Sequence, residues 1–448
     1  MQRLKPTKSV LDIARRLEAA GFEAWCVGGA IRDALLGGHP LDWDLATTAV
    51  PQRVIDLFGR RRTIPVGIDF GTVSVLDADG VPHEITTFRR DVQTDGRHAV
   101  VEFGVSLDDD LARRDFTINA IAYRPHTGEV RDPFGGRADL EAKLVRAVGD
   151  PDARMREDRL RALRAIRFAA RFGFAIDPAT RSAIDSSAPF LTRLSAERVQ
   201  QELVKTMEQV ARPGQALRLW RESGALAVLV PALRKIDDVA LATLDELPRA
   251  GVGRHASQRT ANRLAALFLD VPVVDVRGAL SALRASKHRI SWATALADGW
   301  QRLGGDMTAT LLSGAPTDEQ VRRWIARLGR LYAGPFLRVA SARWRAERAA
   351  GRPAPDAVAV RDLHRRMRRS LYRDPIELAD LRISGDDLRR LGIPAGPIYA
   401  KILHALLERV LEDPARNTLE GLLAEVPRLA AAAGRDDAGL ALHPSKDP

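Results

Sequence analysis

The 448-residue sequence has a single cysteine, Cys26. It sits in an apolar run, which excludes an internal disulfide and any zinc site built on cysteines, and it fits a reducing, cytoplasmic setting. Long hydrophobic stretches are missing too. None reaches the roughly 18 apolar residues of a membrane span, and the opening MQRLKPTKSV has no hydrophobic signal core. No internal repeat is found. Negative charge is the scarcer sign: Asp plus Glu is 58 against 69 for Lys plus Arg, a net charge of +11, carried mostly by arginine. Arg-rich basic chains meet polyanions, because neutralised phosphates release counterions. Nucleic acid is therefore the expected partner, and a membrane is not.

The length is too great for one core and implies two to four domains. Residues 9–20 carry Val10, Ile13, Ala14 and Leu17 at helical spacing, with Ser9 as cap. A short buried strand follows at 24–27, a helix at 31–36, a strand at 41–46 and a helix at 50–58 opened by Pro51. Residues 66–71, 72–76 and 82–88 read as paired strands, the last two joined by a turn at 77–80. The polar segment 89–110 is longer than most connections and is therefore mobile or functional. Beyond Arg154 helical windows take over, at 156–172, 195–210, 215–223, 258–269, 318–331 and 398–411. Ser195 caps one of them, Pro213-Gly214 and Pro353-Ala354-Pro355 mark breaks, and beyond Ala430 the composition suits fraying. The expected class is α+β: an N-terminal mixed-sheet head followed by an all-α region.

Chemistry concentrates in VGGAIRDALLGGHPLDWDLAT at 27–47. Asp42 and Asp44 are two apart, so on a strand both carboxylates share one face and make a site for a hard, oxygen-seeking cation. Gly28-Gly29 gives a turn that lets a ligand approach the backbone, and Arg32 in the first helical turn suits a phosphate. Gly29 and Arg32 for a triphosphate, with two aspartates for its metal, is a recipe for nucleotidyl transfer. Taken alone, Asp-x-Asp also describes an exposed strand or turn. Glu84 is either a third acid near the metals or a solvated strand residue, and Arg113-Arg114 is either a phosphate-facing corner or a solvated pair.

The window at 156–172 holds a second pattern. Asp158, Arg161, Arg164 and Arg167 are three apart, with Arg171 four further on, so neighbours touch along one side of a helix. A salt-bridged solvent face has the same spacing. An Asp beside an Arg, however, also matches a base edge. Cytosine and adenine present an amino donor next to a ring-nitrogen acceptor, whereas uracil and guanine present a carbonyl next to an N–H. A carboxylate only accepts and a guanidinium only donates. Asp158 with Arg161 would take C or A and reject U and G.

The ordered set VGGAIRD, LDWDLAT, VGIDFGTVSV, EITTFRRD, RRDFTINAIA, DPFGG and EDRLRALRAIRFAARFGF resembles the bacterial class II tRNA nucleotidyltransferases, the CCA-adding enzymes of the polymerase-beta-like superfamily, whose head is shared with bacterial poly(A) polymerase. The resemblance is strong over residues 20–210. It extends more loosely through Ser195-x-Glu197-Arg198-Val199 and ISGDDLRRLGIPAGP at 383–397. It implies a catalytic nucleotidyltransferase head over 1–150, a base-recognising neck over 151–212, a body over 213–350, a tRNA-binding tail over 351–432 and an unstructured end at 433–448. It implies Mg2+ on Asp42 and Asp44, phosphates held by Gly29 and Arg32, and Arg114 neutralising charge at the reacting phosphate. Asp158 and Arg161 would read the base, with Arg164 and Arg167 supporting the nucleotide or primer end. CTP and ATP are the implied substrates and the acceptor and TΨC arms of tRNA the implied partner, while monomer and homodimer both stay open. Arg361, Arg365, Arg366, Arg368, Arg369 and Arg373, and His288 beside Lys287 and Arg289, are candidate RNA contacts or solvated surface. Relatives that add only CC, only A or a poly(A) tail have similar sites, and an inactive RNA-binding homologue would keep the fold. Asp95-Gly96-Arg97-His98 resembles the loop of full CCA enzymes, with Ala99 where a proline is often found. The lack of any His-Asp dipeptide argues against an appended phosphohydrolase domain.

Overall fold

A computed structural model describes residues 4–94, 99–251 and 253–440. The Asp95-Gly96-Arg97-His98 motif and residues 441–448 lie outside the described residues. The chain forms two compact units. One runs to Lys235 and takes in Ala282–Ala285, and the other comprises Ile236–Ser281 and the chain from Ser286 onward. The implied head and neck thus share one unit. No helix among the described residues is long and apolar enough to cross a membrane.

The first unit opens with α1 (Lys8–Ala19), capped by Thr7 rather than Ser9. Its apolar stripe of Val10, Ile13, Ala14 and Leu17 is fully covered. β1 (Ala24–Val27), α2 (Gly29–Leu35), β2 (Asp44–Thr47), α3 (Pro51–Phe58), β3 (Thr63–Ile64), β4 (Thr72–Leu76) and β5 (Pro82–Thr87) follow. Residues 66–71 do not form the expected strand. Gly67 and Gly71 are both left-handed and bracket a single tight turn at Ile68–Phe70. The polar segment is not irregular either: β6 (Arg89–Thr94) and β7 (Ala99–Phe103) pair as an antiparallel hairpin, and α4 (Leu107–Ala112) begins at a reciprocal Ser106–Asp109 cap. After β8 (Ala122–Tyr123) and β9 (Val130–Arg131) the seven-stranded sheet is complete, in the order β3-β4-β5-β2-β1-β8-β9. Its β2–β5 pair is parallel and its other pairs are antiparallel, so the sheet is mixed as expected. Strand alternation puts Trp25, Val27 and Ala46 on one face, where they meet Phe88, Leu107, Leu111 and Val148 in one core.

α5 (Gly136–Glu141), α6 (Pro151–Glu157), α7 (Leu160–Phe172), α8 (Pro178–Ser187) and α9 (Ala196–Gln209) complete what positions the site. Ser195 caps α9 through its hydroxyl, 3.4 Å from the Arg198 amide. The break expected at Pro213-Gly214 lies just before it, at 210–212, and proline at the first helical position opens Pro213–Glu222. Among its described residues the second unit is helical throughout its regular elements. Its core holds Trp324, Phe336 and Trp344, with Trp324 Nε1 donating to Asp306 and Trp344 Nε1 donating to Thr308, each at 2.8 Å. Its last helix spans Leu419–Leu440, so helical backbone continues past residue 432.

Gly136 shows how tightly the head is closed. A Cβ there would lie 2.1 Å from the Thr117 carbonyl oxygen and 2.9 Å from Ile121 Cγ1. Because the nearest obstacle is backbone, Gly136→Ala is expected to destabilise the protein by about 1–3 kcal/mol, measured as a lowered urea midpoint at unchanged slope.

Candidate active site

The site is built where β1 ends. Val27 is the last residue of β1 to pair, opposite Asp44. Gly28 then takes φ +79°, a conformation open to glycine, and the chain turns at once into α2. No strand residue remains opposite Asp42 and Trp43, so the expected strand at 41–46 is cut to Asp44–Thr47 and Asp42 lies just outside it. Asp42 is exposed; its neighbour Trp43 is fixed by burial and by an indole N–H donated to the Pro40 carbonyl at 2.9 Å.

Asp44 heads β2. Since Leu45 pairs with Ile85, Glu84 lies beside Asp44 on the same face. Glu84 is exposed, a solvated strand residue whose charge still reaches Asp44. Burial pushes the Asp44 carboxyl up to about 6, the charges of Asp42 and Glu84 add to this, and Arg114 opposes it. This surplus of negative charge is what a divalent cation relieves. Among the described residues no three His, Cys, Asp or Glu side chains are grouped to hold a metal. The aspartate pair fits an ion that keeps waters and takes further oxygens from a phosphate, as Mg2+ does.

Arg114 closes the other side. A Cβ on Gly28 would lie 3.1 Å from Arg114 Nη1 and 3.9 Å from Asp44 Oδ2, so backbone, guanidinium and carboxylate converge. Buried Asp110 on α4 holds the arginine pair: its Oδ2 accepts from Arg114 at 3.1 Å and its Oδ1 from Arg113 at 2.7 Å. Burial works against the Asp110 charge, but Arg114 and Arg113 outweigh it and keep the carboxyl below its ordinary value. Arg114 Nε is buried without a hydrogen-bond partner. The Arg113-Arg114 pair is thus a supported corner, not a solvated end.

Arg32 is placed differently from the expectation. The residue is 4% exposed, and its guanidinium donates to Asp33 and, at 2.5 Å, to Asn119 Oδ1, and lies over the rings of Phe168 and Phe172. It ties α2 to the neck rather than facing solvent. A Cβ on Gly29 would come within 3.3 Å of its Nη2.

The window at 156–172 is two helices. Asp158 has extended backbone (φ −144°, ψ 102°) between α6 and α7, and its Oδ1 accepts from the Leu160 amide at 3.0 Å. Aspartate competes with helical backbone for such bonds and settles at the end of a helix. The ladder is therefore broken at its first member, and Asp158 pairs with Arg198 of α9 at 2.7 Å, not with Arg161. Arg161 donates to Glu157, to the Arg154 carbonyl and, at 3.0 Å, to the carbonyl of Arg113, next to Arg114. Arg164 grips Asp115 at 2.7 and 2.9 Å, Arg167 is buried against Glu202 at 2.7 Å, and Arg171 reaches Asp33 at 3.2 Å. The arginines of α7 are thus bound by carboxylates of the head or neck.

A family model described as the poly A polymerase head domain matches residues 24–146, and one described as the probable RNA and SrmB-binding site of polymerase A matches residues 173–236. The CCA-adding enzyme of Geobacillus kaustophilus is 34% identical over 424 residues, 94% of this chain and 96% of that protein. The chain belongs to the CCA-adding enzymes. The CCA-adding enzyme of Latilactobacillus sakei is 35% identical over 92% of this chain and 96% of its own. A crystal structure of the Bacillus stearothermophilus CCA-adding enzyme in complex with CTP superimposes with a TM-score of 0.73 at 30% identity, covering 96% of this chain and 98% of that one. Nucleotidyltransferases of this family use divalent metal ions.

Sequence reading overlooked the partners that hold the candidate site together. Asp110 was detectable, standing three and four residues before the arginine pair; Asn119, Glu202 and Arg198 were not, because their contacts span 35 to 87 positions. A cavity of about 850 Å³ is lined by Ile31, Leu35, Trp43, Tyr123 and Leu140 and includes none of the acids or arginines above. In the second unit Arg366 and Arg369 pair with Asp318 and Arg365 with Asp362, while Arg361, Arg368 and Arg373 are exposed. His288 is exposed against Trp292.

The raised Asp44 value has a sign. The folded metal-free protein binds this proton more tightly than the unfolded chain, so Asp44 lowers stability as pH rises from 3.8 to about 6 and contributes no slope above that. Asp44→Asn is expected to remove that slope and to stabilise the EDTA-treated protein at pH 7 by about 2–3 kcal/mol, read from urea melts across the pH series. Equal slopes in both proteins would assign the effect elsewhere.

Proposed function

We propose that this CCA-adding enzyme extends the 3′ end of tRNA with C, C and A from CTP and ATP, without a nucleic-acid template and with release of pyrophosphate. The observation that carries the site assignment is the convergence of Gly28, Asp44 and Arg114, joined to the base-reading corner through the bond from Arg161 to the Arg113 carbonyl. In the reaction the tRNA 3′ oxygen bonds to the α-phosphorus and the bond to the pyrophosphate oxygen breaks. Asp42 and Asp44 would hold magnesium, which when bound would supply activation of the hydroxyl and neutralisation of the triphosphate. Arg114, fixed by Asp110, places positive charge where it builds up on the phosphate oxygens. Gly28 and Gly29 leave room for phosphates against the backbone.

Asp158 and Arg161 select the base. A carboxylate has about four lone-pair sites, and Asp158 has bonds to Leu160 and Arg198, which leave room for an amino group of C or A. Arg161 engages three of its five N–H groups, leaving donors for a ring nitrogen. Arg164, Arg167 and Arg32 act behind this edge, holding head to neck around the nucleotide and primer end. Arg361, Arg368 and Arg373 offer phosphate contacts for the acceptor and TΨC arms.

Purified protein given tRNA lacking its last three nucleotides should add two C with CTP and a final A once ATP is present; a product halted at CC, limited to A, or extended into A tracts would replace this reading with a partial or poly(A)-adding activity. Asp42→Ala, at an exposed position, is expected to lower turnover at least about a hundredfold while tRNA binding is kept. Asp158→Ala should relax discrimination against U and G by about 1–3 kcal/mol, measured as the ratio of kcat/KM values, and unchanged discrimination would remove Asp158 from the base edge.

A further inference from the structure

The arginines of α7 are paired with carboxylates, and so is Arg198 on α9. Two neck arginines beside them break the pattern. Arg159, immediately after Asp158, and Arg193, after α8, both lie over the ring of Phe190, at 4.8 and 5.3 Å from its centroid. Phe190 is 41% exposed, Arg193 is exposed, and Arg159 is held by a 3.1 Å bond to the Ser187 hydroxyl. Among the described residues no carboxylate pairs with either guanidinium. Arg156, whose charge also acts on Arg159, is positive and loosely attached to Asp150 at 3.8 Å. Partial burial makes the Arg159 charge harder to hold, and Arg193 and Arg156 add to this. Two like charges kept close by an aromatic ring, without an acid to neutralise them, await an anion.

We propose that Arg159 and Arg193, seated on Phe190, hold a phosphodiester of the tRNA acceptor strand near its 3′ end and so position the primer against the Asp158 corner. This rests on the function proposed above. The cluster is open to solvent at Phe190 and Arg193 and is not part of the 850 Å³ cavity, which suits a polymer crossing the surface rather than an enclosed small anion. Cationic side chains interleaved with an exposed ring are the usual platform for unpaired nucleic acid. The triphosphate has its own place at Gly28, Asp44 and Arg114.

Binding of tRNA lacking its last three nucleotides, measured without nucleotide over a salt series, tests this. Arg159→Ala with Arg193→Ala should bind about tenfold more weakly, with the slope of log K against log salt shallower by about 0.7 for each phosphate of an unpaired strand that is no longer neutralised. The KM for CTP should not change, and Arg193→Lys should keep the salt slope. Arg193→Ala alone, at an exposed position, carries the test should the double variant fold poorly. Unchanged tRNA affinity and slope, or a loss confined to the KM for CTP, overturns the proposal. Nucleotide addition by the unmodified protein is followed in parallel. Normal addition with unaffected variants sinks the platform alone, whereas the expected salt signature without any addition sinks the catalytic reading and leaves the platform standing.

Discussion

A guanidinium taken out of water has to be met by carboxylates or carbonyls, and the first unit depends on this. Arg32 joins Asp33 to Asn119, Asn119 joins Asp115, Asp115 holds Arg164, and Asp33 returns to Arg171. One continuous polar network thus runs from the glycine turn of the head to the first long helix of the neck. Removing one partner from such a network leaves a buried charge uncompensated, a loss of about 3–5 kcal/mol. Its geometry is therefore well specified, and the residues at its edge inherit that precision.

The edge residues are the ones assigned to chemistry. Arg114 is anchored by Asp110 at one end and meets Gly28 and Asp44 at the other; Arg161 is anchored by Glu157 and by the Arg113 carbonyl. The same carboxylate–guanidinium bonding that stabilises the neck sets the spacing between Arg114, proposed for the phosphates, and Arg161, proposed for the base. Asp44 is the opposite case: beside Asp42 and Glu84 it carries charge that the protein alone does not balance. Strain of this kind is expected where a ligand completes the structure.

Much of this was legible. The strand at 24–27, the helix opened by Pro51, the hairpin at 72–76 and 82–87 and the glycine turn are local consequences of apolar alternation, proline and glycine. What the sequence misplaced has local causes as well: two left-handed glycines turned 66–71 into a tight turn, and Asp158 chose a helix end over a helix interior. The aspartate pair was identified for its chemistry yet assigned to a strand that stops at Asp44, because strand length depends on the partner, and β1 ends at Val27.

Residue types and their order established the mixed-sheet head and the helical remainder, which follow from periodicity, and singled out the acids proposed for a metal and the Asp and Arg proposed for a base edge, from what a side chain can donate and accept. Tertiary structure alone established which arginines remain available. Arg32 and Arg167 have the same chemistry as Arg159 and Arg193, yet the first two are buried against Asp33 and Glu202 while the other two lie over Phe190 with no carboxylate paired to them among the described residues. Charge is written in the sequence, but whether it is neutralised depends on acids that folding brings from elsewhere in the chain.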